Sequence, residues 1–310
     1  MKRLGILLFV SLMALLVACS SDTGTNGNNG EDTSSQEKEK IVIGGKDFTE
    51  QLLLSKITSV YLKENGYPVE EASNMGSTVV RSALENGQID LYWEYTGTAL
   101  IIYQEQDVET DPVKTHEIVK ETDAEIGLVW LDRSEVNNTY ALMMREEKAE
   151  ELGIKAISDL ADYINDVDDS LVFSSNAEFY ARDDGMKGLQ KEYGFEFPSN
   201  NVVRMDTGLL YDALKEGQTD VSVGFATDAR IKRFDLVVLE DDLMFFPAYH
   251  AAPVIREDKL NDELSELLNE LSAKLDSDTM TSLNYLVDVE HEDIAEVARD
   301  WLVETGFLTE

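Results

Sequence analysis

The chain has 310 residues, of which 43% are hydrophobic, and this is enough for two domains of ordinary size that each bury a core. Its net charge is −36 at pH 7, from 62 acidic and 26 basic residues, and so negative a surface repels nucleic acid and anionic lipid. The single cysteine excludes an internal disulfide, so the core must hold the fold without one.

The N-terminal segment has the pattern of a secretory signal. Two basic residues precede an apolar run at 4–17, which is shorter than the roughly 20 residues that a membrane span needs. The run ends in an alanine followed by Cys19, and this stretch resembles a bacterial lipobox. We therefore expect 1–18 to be a signal peptide and Cys19 to carry a lipid; an ordinary cleaved signal with an incidental cysteine is the alternative. The polar residues 19–40 are typical of a flexible linker.

The segments after residue 40 alternate between strand and helix patterns. In chain order, apolar periodicity predicts a strand at 41–43, helices at 52–61 and 79–84, a strand at 89–93, a helix at 116–125, a strand at 128–131, a helix at 157–163, a strand at 171–173, a helix at 185–193, strands at 221–223 and 236–239, and helices at 260–275, 278–287 and 294–305. The extended apolar runs at 140–144 and 251–255 are interpreted as crossings between two lobes. This alternation is typical of α/β lobes with largely parallel sheets, in which ligands bind beyond the strand C-terminal ends.

One element of the sequence occurs twice. Residues 75–90 align without gaps on residues 205–220, with six identities, which are Met75/Met205, Ala83/Ala213, Leu84/Leu214, Gly87/Gly217, Gln88/Gln218 and Asp90/Asp220. In the same register Tyr95 falls opposite Phe225. We interpret the copies as one helix–turn–strand element, each bringing an aromatic ring to a strand end. Two lobes that face a shared cleft follow from this.

The sequence lacks the signatures of nucleotide and hydrolytic chemistry. The glycine motifs of phosphate-binding loops, of dinucleotide-binding folds and of serine nucleophiles are absent. The three histidines are scattered, and no cysteine and histidine cluster suits zinc or iron. We therefore predict no enzyme activity, no metal site and no cofactor. An enzyme on the same fold and a surface lipoprotein without a transport role are the alternatives from other classes.

Seven motifs resemble the glycine betaine/carnitine/choline-binding lipoproteins of osmoprotectant ABC transporters. In order they are GGKDFTEQ, DLYWEYTGT, NNTYAL, NAEFYARDDGMKGL, GFATDARI, FFPAYHAAPVI and LNYLVD. The similarity covers 41–307, essentially the whole mature domain. It implies a two-lobed type II periplasmic-binding-protein fold of the α/β class, with a mixed sheet flanked by helices in each lobe and a hinge of two crossing segments. Lobe 1 is expected at 41–139 and 247–310, and lobe 2 at 140–246.

The resemblance also implies a ligand site. Members of the family hold a quaternary ammonium in a cage of aromatic rings, and the motifs place the cage at Tyr95, Tyr140, Phe225 and Tyr249. The carboxylate of a betaine is expected to meet Lys46, Thr98 and Arg182. Glu178, one helical turn before Arg182, is expected to orient that arginine. Phe225 departs from the family pattern, in which tyrosine is common at this position.

The expected ligand is a quaternary-ammonium osmoprotectant, with glycine betaine first. A lysine and an arginine brought to one pocket of so acidic a chain select for a carboxylate, which choline lacks. Choline, carnitine or another small zwitterion such as an amino acid are the alternatives. We expect the partner to be an ABC transporter permease, the chain to be a monomer that binds no nucleic acid, and its location to be the outer face of the cell membrane, anchored through Cys19.

Overall fold

The architecture consists of two five-stranded sheets, each flanked by helices. The computed structural model describes residues 38–309. The predicted signal peptide, Cys19 and most of the predicted linker lie outside these residues. Within the described part of the chain, no helix is both long enough and apolar enough to cross a membrane.

The secondary structure follows the predicted order. The strands are β1 (Ile41–Lys46), β2 (Val69–Met75), β3 (Leu91–Tyr95), β4 (Leu128–Trp130), β5 (Tyr140–Arg145), β6 (Phe173–Ser175), β7 (Val202–Arg204), β8 (Val221–Phe225), β9 (Leu236–Val238) and β10 (Ala251–Arg256). The helices are α1 (Thr49–Glu64), α2 (Ser77–Glu85), α3 (Thr96–Thr98), α4 (Pro112–Ala124), α5 (Glu146–Leu152), α6 (Ile157–Asp166), α7 (Ala177–Ala181), α8 (Met186–Tyr193), α9 (Thr207–Lys215), α10 (Arg230–Arg233), α11 (Asp262–Ser272), α12 (Ser277–Asp288) and α13 (Ile294–Glu304). A π-helical turn at Ala99–Tyr103 extends α3, and short 3-10 turns lie at Ser199–Asn201 and Glu257–Lys259.

Both sheets mix parallel and antiparallel strands. The first has the order β2-β1-β3-β10-β4, and the second β7-β6-β8-β5-β9. In the first sheet β1 runs parallel to β2 and β3, whereas β10 runs antiparallel to β3 and β4. In the second, β6 runs parallel to β7 and β8, whereas β5 runs antiparallel to β8 and β9. The mixed sheets are confirmed, and the expectation of largely parallel sheets was wrong. We call the first sheet with its helices lobe 1, and the second lobe 2.

The chain passes between the lobes at two adjacent segments. The crossings predicted at 140–144 and 251–255 were wrong, because these apolar runs are the buried strands β5 and β10 inside the sheets. The passages lie just before each strand. Asn137 forms an antiparallel bridge with His250, and the Asn138 N–H donates to the carbonyl of Tyr249 at 3.0 Å. A crossing needs only this backbone pairing, whereas an apolar run gains by burial in a sheet.

Two edge strands escaped prediction, β2 because it lacks an apolar pattern and β7 because it is only three residues long. The sequence of β2 is VEEASNM, and it pairs with β1 alone at the rim of the first sheet. The two acids of β2 form ion pairs with lysines. Glu70 accepts from Lys40 at 2.8 Å, and Glu71 accepts from Lys56 at 2.5 Å. Charged residues on an edge strand protect it from pairing with other chains. The three-residue β7 holds the same edge position in the second sheet.

The internal repeat has a structural counterpart. The pairs α2/α9 and β3/β8 begin and end at aligned positions of the two copies. Gly87 and Gly217 follow the helices with φ of 68° and 71°, a left-handed conformation that glycine adopts without steric cost. Asp90 then accepts a hydrogen bond from a backbone N–H of β1 at 2.8 Å, and Asp220 accepts one from the residue before β6 at 3.0 Å. Each copy thus ties its strand to the neighbouring parallel strand in the same way.

A buried ion pair joins α2 to α4 in lobe 1. Arg81 donates to both carboxylate oxygens of Asp123, at 2.7 and 2.8 Å. The indole of Trp130 and the amide of Gln104 donate to the same carboxylate at 2.7 and 2.9 Å. Both charged side chains are buried, so each charge depends on the other for compensation.

We expect Asp123→Asn to lower the free energy of unfolding by about 3–5 kcal/mol, because Arg81 then stays buried without a counter-charge. Denaturant unfolding followed by circular dichroism measures the loss. The matched control is Glu85→Gln, since Glu85 pairs with the same arginine at 2.6 Å but its side chain is 41% exposed. We expect this control to lose at most about 1 kcal/mol. Equal losses in the two variants would contradict the assignment.

Candidate functional site

The predicted cage residues lie at the ends of strands that face one another across the lobes. Tyr95 is the last residue of β3 and Phe225 the last residue of β8. Tyr140 begins β5 and is paired in register with Phe225. Tyr249 lies two residues before Ala251, which is paired with Tyr95. The antiparallel pairing in each sheet therefore brings its two aromatic residues together at one end of the paired strands.

The four rings form one cluster together with a fifth ring. Tyr140 stacks on Phe225 at 5.4 Å between ring centroids and meets Tyr249 edge to face at 5.6 Å. Phe48 lies between Phe225 and Tyr95, at 5.0 and 6.2 Å from their centroids. The sequence analysis did not include Phe48, although it stands in the quoted GGKDFTEQ motif.

All eight predicted ligand-binding residues line a single cavity at this cluster. Its free volume is only about 30 Å³, so the lining side chains lie close together. The other lining residues are Asp47, Phe48, Ser77, Asn138, Asn176 and Thr207. The cavity wall therefore draws on both lobes and on the segment that crosses between them.

Lys46 does not present a free charge to this cavity. Its ammonium group donates to Glu94 at 2.6 Å, and both side chains are buried. The same carboxylate accepts the hydroxyl of Tyr92 at 2.7 Å and the backbone N–H of Tyr95 at 2.6 Å. The lysine nitrogen lies 5.0 Å from the centroid of the Tyr95 ring. Its charge is therefore balanced inside the protein, next to a cage ring.

Arg182 is likewise paired within the protein. Its Nε donates to Asp184 at 2.7 Å, its Nη2 donates to the second oxygen of Asp184, and its Nη1 donates to Glu178 at 3.0 Å. Thr98 Oγ1 lies 3.5 Å from Nη1. Glu178 therefore contacts the arginine that it was predicted to orient. Asp184 was not predicted, because a chain with 62 acids offers many possible partners for one arginine.

Tyr249 connects the ring cluster to this charged group. Its hydroxyl donates to Asp184, so a ring of lobe 1 is tied to a carboxylate of lobe 2. The ring lies against the backbone of Gly97, where an added Cβ would come within 2.8 Å of two ring carbons. The glycine of the EYTGT motif therefore leaves the room that the ring occupies. Burial raises the pKa of the Tyr249 phenol, which keeps it a hydrogen-bond donor.

A third buried carboxylate lies behind the cluster and was not predicted. Glu50, near the start of α1, accepts the hydroxyl of Tyr95 at 2.7 Å and the hydroxyl of Thr227 at 2.6 Å. The side-chain amides of Asn138 and Asn284 donate to it at 2.9 and 3.5 Å. Burial raises the pKa of this carboxyl, and the four hydrogen bonds oppose that effect. The only sequence signal was its place in the GGKDFTEQ motif.

The site is suited to a cation that cannot donate hydrogen bonds. Its walls offer the faces of aromatic rings, and its lysine and arginine are already paired with carboxylates. Burial also raises the pKa of the Asp47 carboxyl at the cavity wall. Within residues 38–309 no group of three or more histidine, cysteine or acidic side chains is placed to hold a metal ion.

Comparison with known proteins shows which family the chain belongs to. A family model named OpuAC, described as the substrate binding domain of ABC-type glycine betaine transport systems, matches residues 39–304. A glycine-betaine-binding protein of Pseudomonas aeruginosa is 41% identical over 279 residues, covering 88% of this chain and 90% of that protein. The carnitine transport binding protein OpuCC of Listeria monocytogenes is 31% identical and covers 99% of both chains.

A solved structure described as a glycine betaine/carnitine/choline ABC transporter superposes with a TM-score of 0.70 at 30% identity, covering 86% of this chain and 99% of that one. The resemblance that the seven motifs indicate is therefore confirmed over nearly all of the described residues. The chain belongs to the OpuAC family, the substrate binding domains of ABC-type glycine betaine transport systems.

Proposed function

We propose that this protein captures glycine betaine in the ring-lined cavity and delivers it to the permease of an ABC importer. The observation that carries the proposal is the cluster of Tyr95, Tyr140, Phe225 and Tyr249 around one cavity, with rings contributed from both lobes. Lys46, Thr98, Glu178 and Arg182 complete the proposed ligand-binding set. The role is binding and transfer, without catalysis.

The ring cluster matches a trimethylammonium group in its physical chemistry. Such a group donates no hydrogen bond, so it loses little when it moves from water into an apolar pocket. Each ring face attracts the positive charge with up to about 2 kcal/mol when water is excluded. Three or four rings then supply much of the ~8 kcal/mol that a micromolar complex requires. The ammonium group of an amino acid would be disfavoured, because its donors would find no acceptors on the ring faces.

The carboxylate of the betaine is proposed to bind at the Arg182 end of the cavity. The donors that line the cavity there are the guanidinium of Arg182 and the hydroxyl of Thr98, whose Oγ1 lies 3.5 Å from Arg182 Nη1. Arg182 remains shared with Asp184 and Glu178, so the ligand meets donors without an uncompensated positive charge. The family identity and the relative that binds glycine betaine support a betaine at this position.

Choline is the second candidate, and the charge pairs favour it. The sequence-based preference for a carboxylate depended on free cations at Lys46 and Arg182. Both are paired with buried carboxylates, at 2.6 Å for Lys46 and Glu94 and through two bonds for Arg182 and Asp184. A cation without a carboxylate needs only the rings and the negative groups near them. The electrostatic argument against choline is therefore weaker than the sequence suggests.

The cellular setting is part of the proposal. Lobe 1 is taken as 41–139 with 247–310 and lobe 2 as 140–246, and ligand bound between them favours the closed state that the permease recognises. Residues 1–18 would direct export, and a lipid on Cys19 with the linker 19–40 would hold a monomer at the outer face of the cell membrane. The support is the pattern of the N-terminal sequence and the transport function of the family.

Titration calorimetry of the folded domain tests the ligand assignment. We expect glycine betaine to bind with a micromolar Kd, because three or four ring faces and the Arg182 end contribute. Carnitine and choline serve as competitors, and glutamate serves as the control that offers a primary ammonium. Choline binding that is tenfold tighter than betaine binding would favour the second candidate. Glutamate binding without any betaine response would contradict the proposal.

We expect Tyr95→Ala or Tyr140→Ala to weaken betaine binding at least about tenfold, because each change removes one ring face from the cation. The same titration measures the loss. Tyr180→Ala is the matched control, since Tyr180 is 43% exposed on α7 and does not line the cavity. A surface lipoprotein without a transport role predicts wild-type behaviour in all three variants.

Phe225 offers a test of the cage wall. The Phe225→Tyr variant keeps the ring that stacks between Phe48 and Tyr140, so we expect a Kd within about threefold of the wild-type value, whereas Phe225→Ala should raise the Kd about tenfold or more. Calorimetry with glycine betaine separates the two. Unchanged binding by Phe225→Ala would assign this residue to the core instead.

A further inference from the structure

A buried carboxylate without a counter-cation lies one ring away from the cavity. Glu50 is 2% exposed, and among residues 38–309 its hydrogen-bond partners are two hydroxyls and two side-chain amides. The other two buried carboxylates at the cavity differ in this respect, because each accepts from a lysine or an arginine. Glu94 accepts from Lys46, and Asp184 accepts from Arg182.

The hydrogen bonds to Glu50 favour the ionised form, whereas burial raises the pKa of this carboxyl and opposes it. An ionised carboxylate only accepts hydrogen bonds and has about four lone-pair positions. Four donors are directed at Glu50, two to each oxygen: Tyr95 and Asn138 to Oε1, Thr227 and Asn284 to Oε2. The N-terminal end of α1 supplies only a partial positive charge, equivalent to about half an elementary charge. Burial of a full negative charge with so little compensation is costly, so a positive charge nearby would stabilise it.

Tyr95 links this carboxylate to the cavity. Its hydroxyl donates to Glu50, and its ring lines the cavity next to Phe48. A phenol that donates to an anion carries more electron density on its ring, and a more negative ring face attracts a cation more strongly. Tyr249 makes a similar bond to Asp184, but that carboxylate is already neutralised by Arg182. The two cage tyrosines are therefore electrostatically different.

We propose that Glu50 is a specificity-determining residue whose counter-ion is the quaternary ammonium of the bound ligand, with the ring of Tyr95 between the two charges. The inference rests on the proposed function, because it requires a quaternary ammonium in the cavity. Glu50 acts through Tyr95 and does not touch the ligand. Thr227 lies in lobe 2 and Glu50 in lobe 1, so the hydrogen-bond network around the carboxylate is complete only when the lobes are together.

The test compares two variants in which a glutamate of α1 is replaced by glutamine, which has nearly the same shape but no charge. Glu50→Gln removes the buried charge, and Glu64→Gln removes an equal charge from the far end of α1, where the side chain is 52% exposed. Both variants and the wild type are titrated with glycine betaine and with choline. We expect Glu50→Gln to bind about tenfold more weakly or worse, and Glu64→Gln to stay within about twofold of the wild type, because water and salt screen the exposed charge.

Unfolding without ligand separates this role from a structural one. If the ammonium is the counter-ion, Glu50→Gln should unfold at the wild-type denaturant midpoint or above it, since an uncompensated buried charge is gone. In a Tyr95→Phe background, the effect of Glu50→Gln on affinity should shrink, because the hydroxyl link is absent.

Three results would overturn the inference. Wild-type affinity in Glu50→Gln would show that the charge is irrelevant, and a parallel loss of affinity and stability would make Glu50 a structural residue. An equal loss of affinity in Glu64→Gln would assign the effect to the net charge of the chain. A wild-type protein that binds neither glycine betaine nor choline would instead overturn the proposed function, and this inference with it.

Discussion

The antiparallel pairing of β10 with β3 and of β5 with β8 decides where the four rings proposed as the cage lie. Each pair joins a strand that has just crossed from the other lobe to the strand that ends the repeated element. Tyr140 is thereby held beside Phe225 and Tyr249 close to Tyr95, although these residues are far apart in the sequence. Backbone hydrogen bonds fix these ring positions within each sheet. Because the rings are already held in place, less conformational entropy is lost when a ligand binds.

The charged side chains around the cavity differ in whether they have a partner of opposite charge. Lys46 and Arg182 are paired with buried carboxylates, which offset the free-energy cost of burying the two positive charges. Glu50 alone among the buried carboxylates at this site has only neutral donors in the described part of the chain. These pairings therefore leave the site more suited to a positive ligand, and the proposed carboxylate position lies at Thr98 and Arg182.

Contacts between the lobes converge on the same groups. Tyr249 donates to Asp184, Thr227 donates to Glu50, and Arg230 pairs with Asp288 at 3.3 Å. Two of these three contacts involve residues that lie at the ring cluster or directly behind it. The contacts between the lobes and the electrostatics of the cavity therefore share the same hydrogen bonds, so the proposed closure would act on both.

The sequence by itself determined the class of the fold, the order of the elements and the repeat, and it supplied the four rings that are proposed as the cage, because apolar periodicity and family motifs are local properties of the chain. Phe48, Glu50 and Asp184 also lie within those motifs, but nothing in the sequence indicated their roles. Only the tertiary structure decided that Lys46 meets Glu94, that Arg182 meets Asp184, and that Glu50 meets no cation among the described residues. The pairing of charges depends on which side chains the sheets bring together, and in a chain with 62 acids the sequence offers too many partners for each cation to single one out.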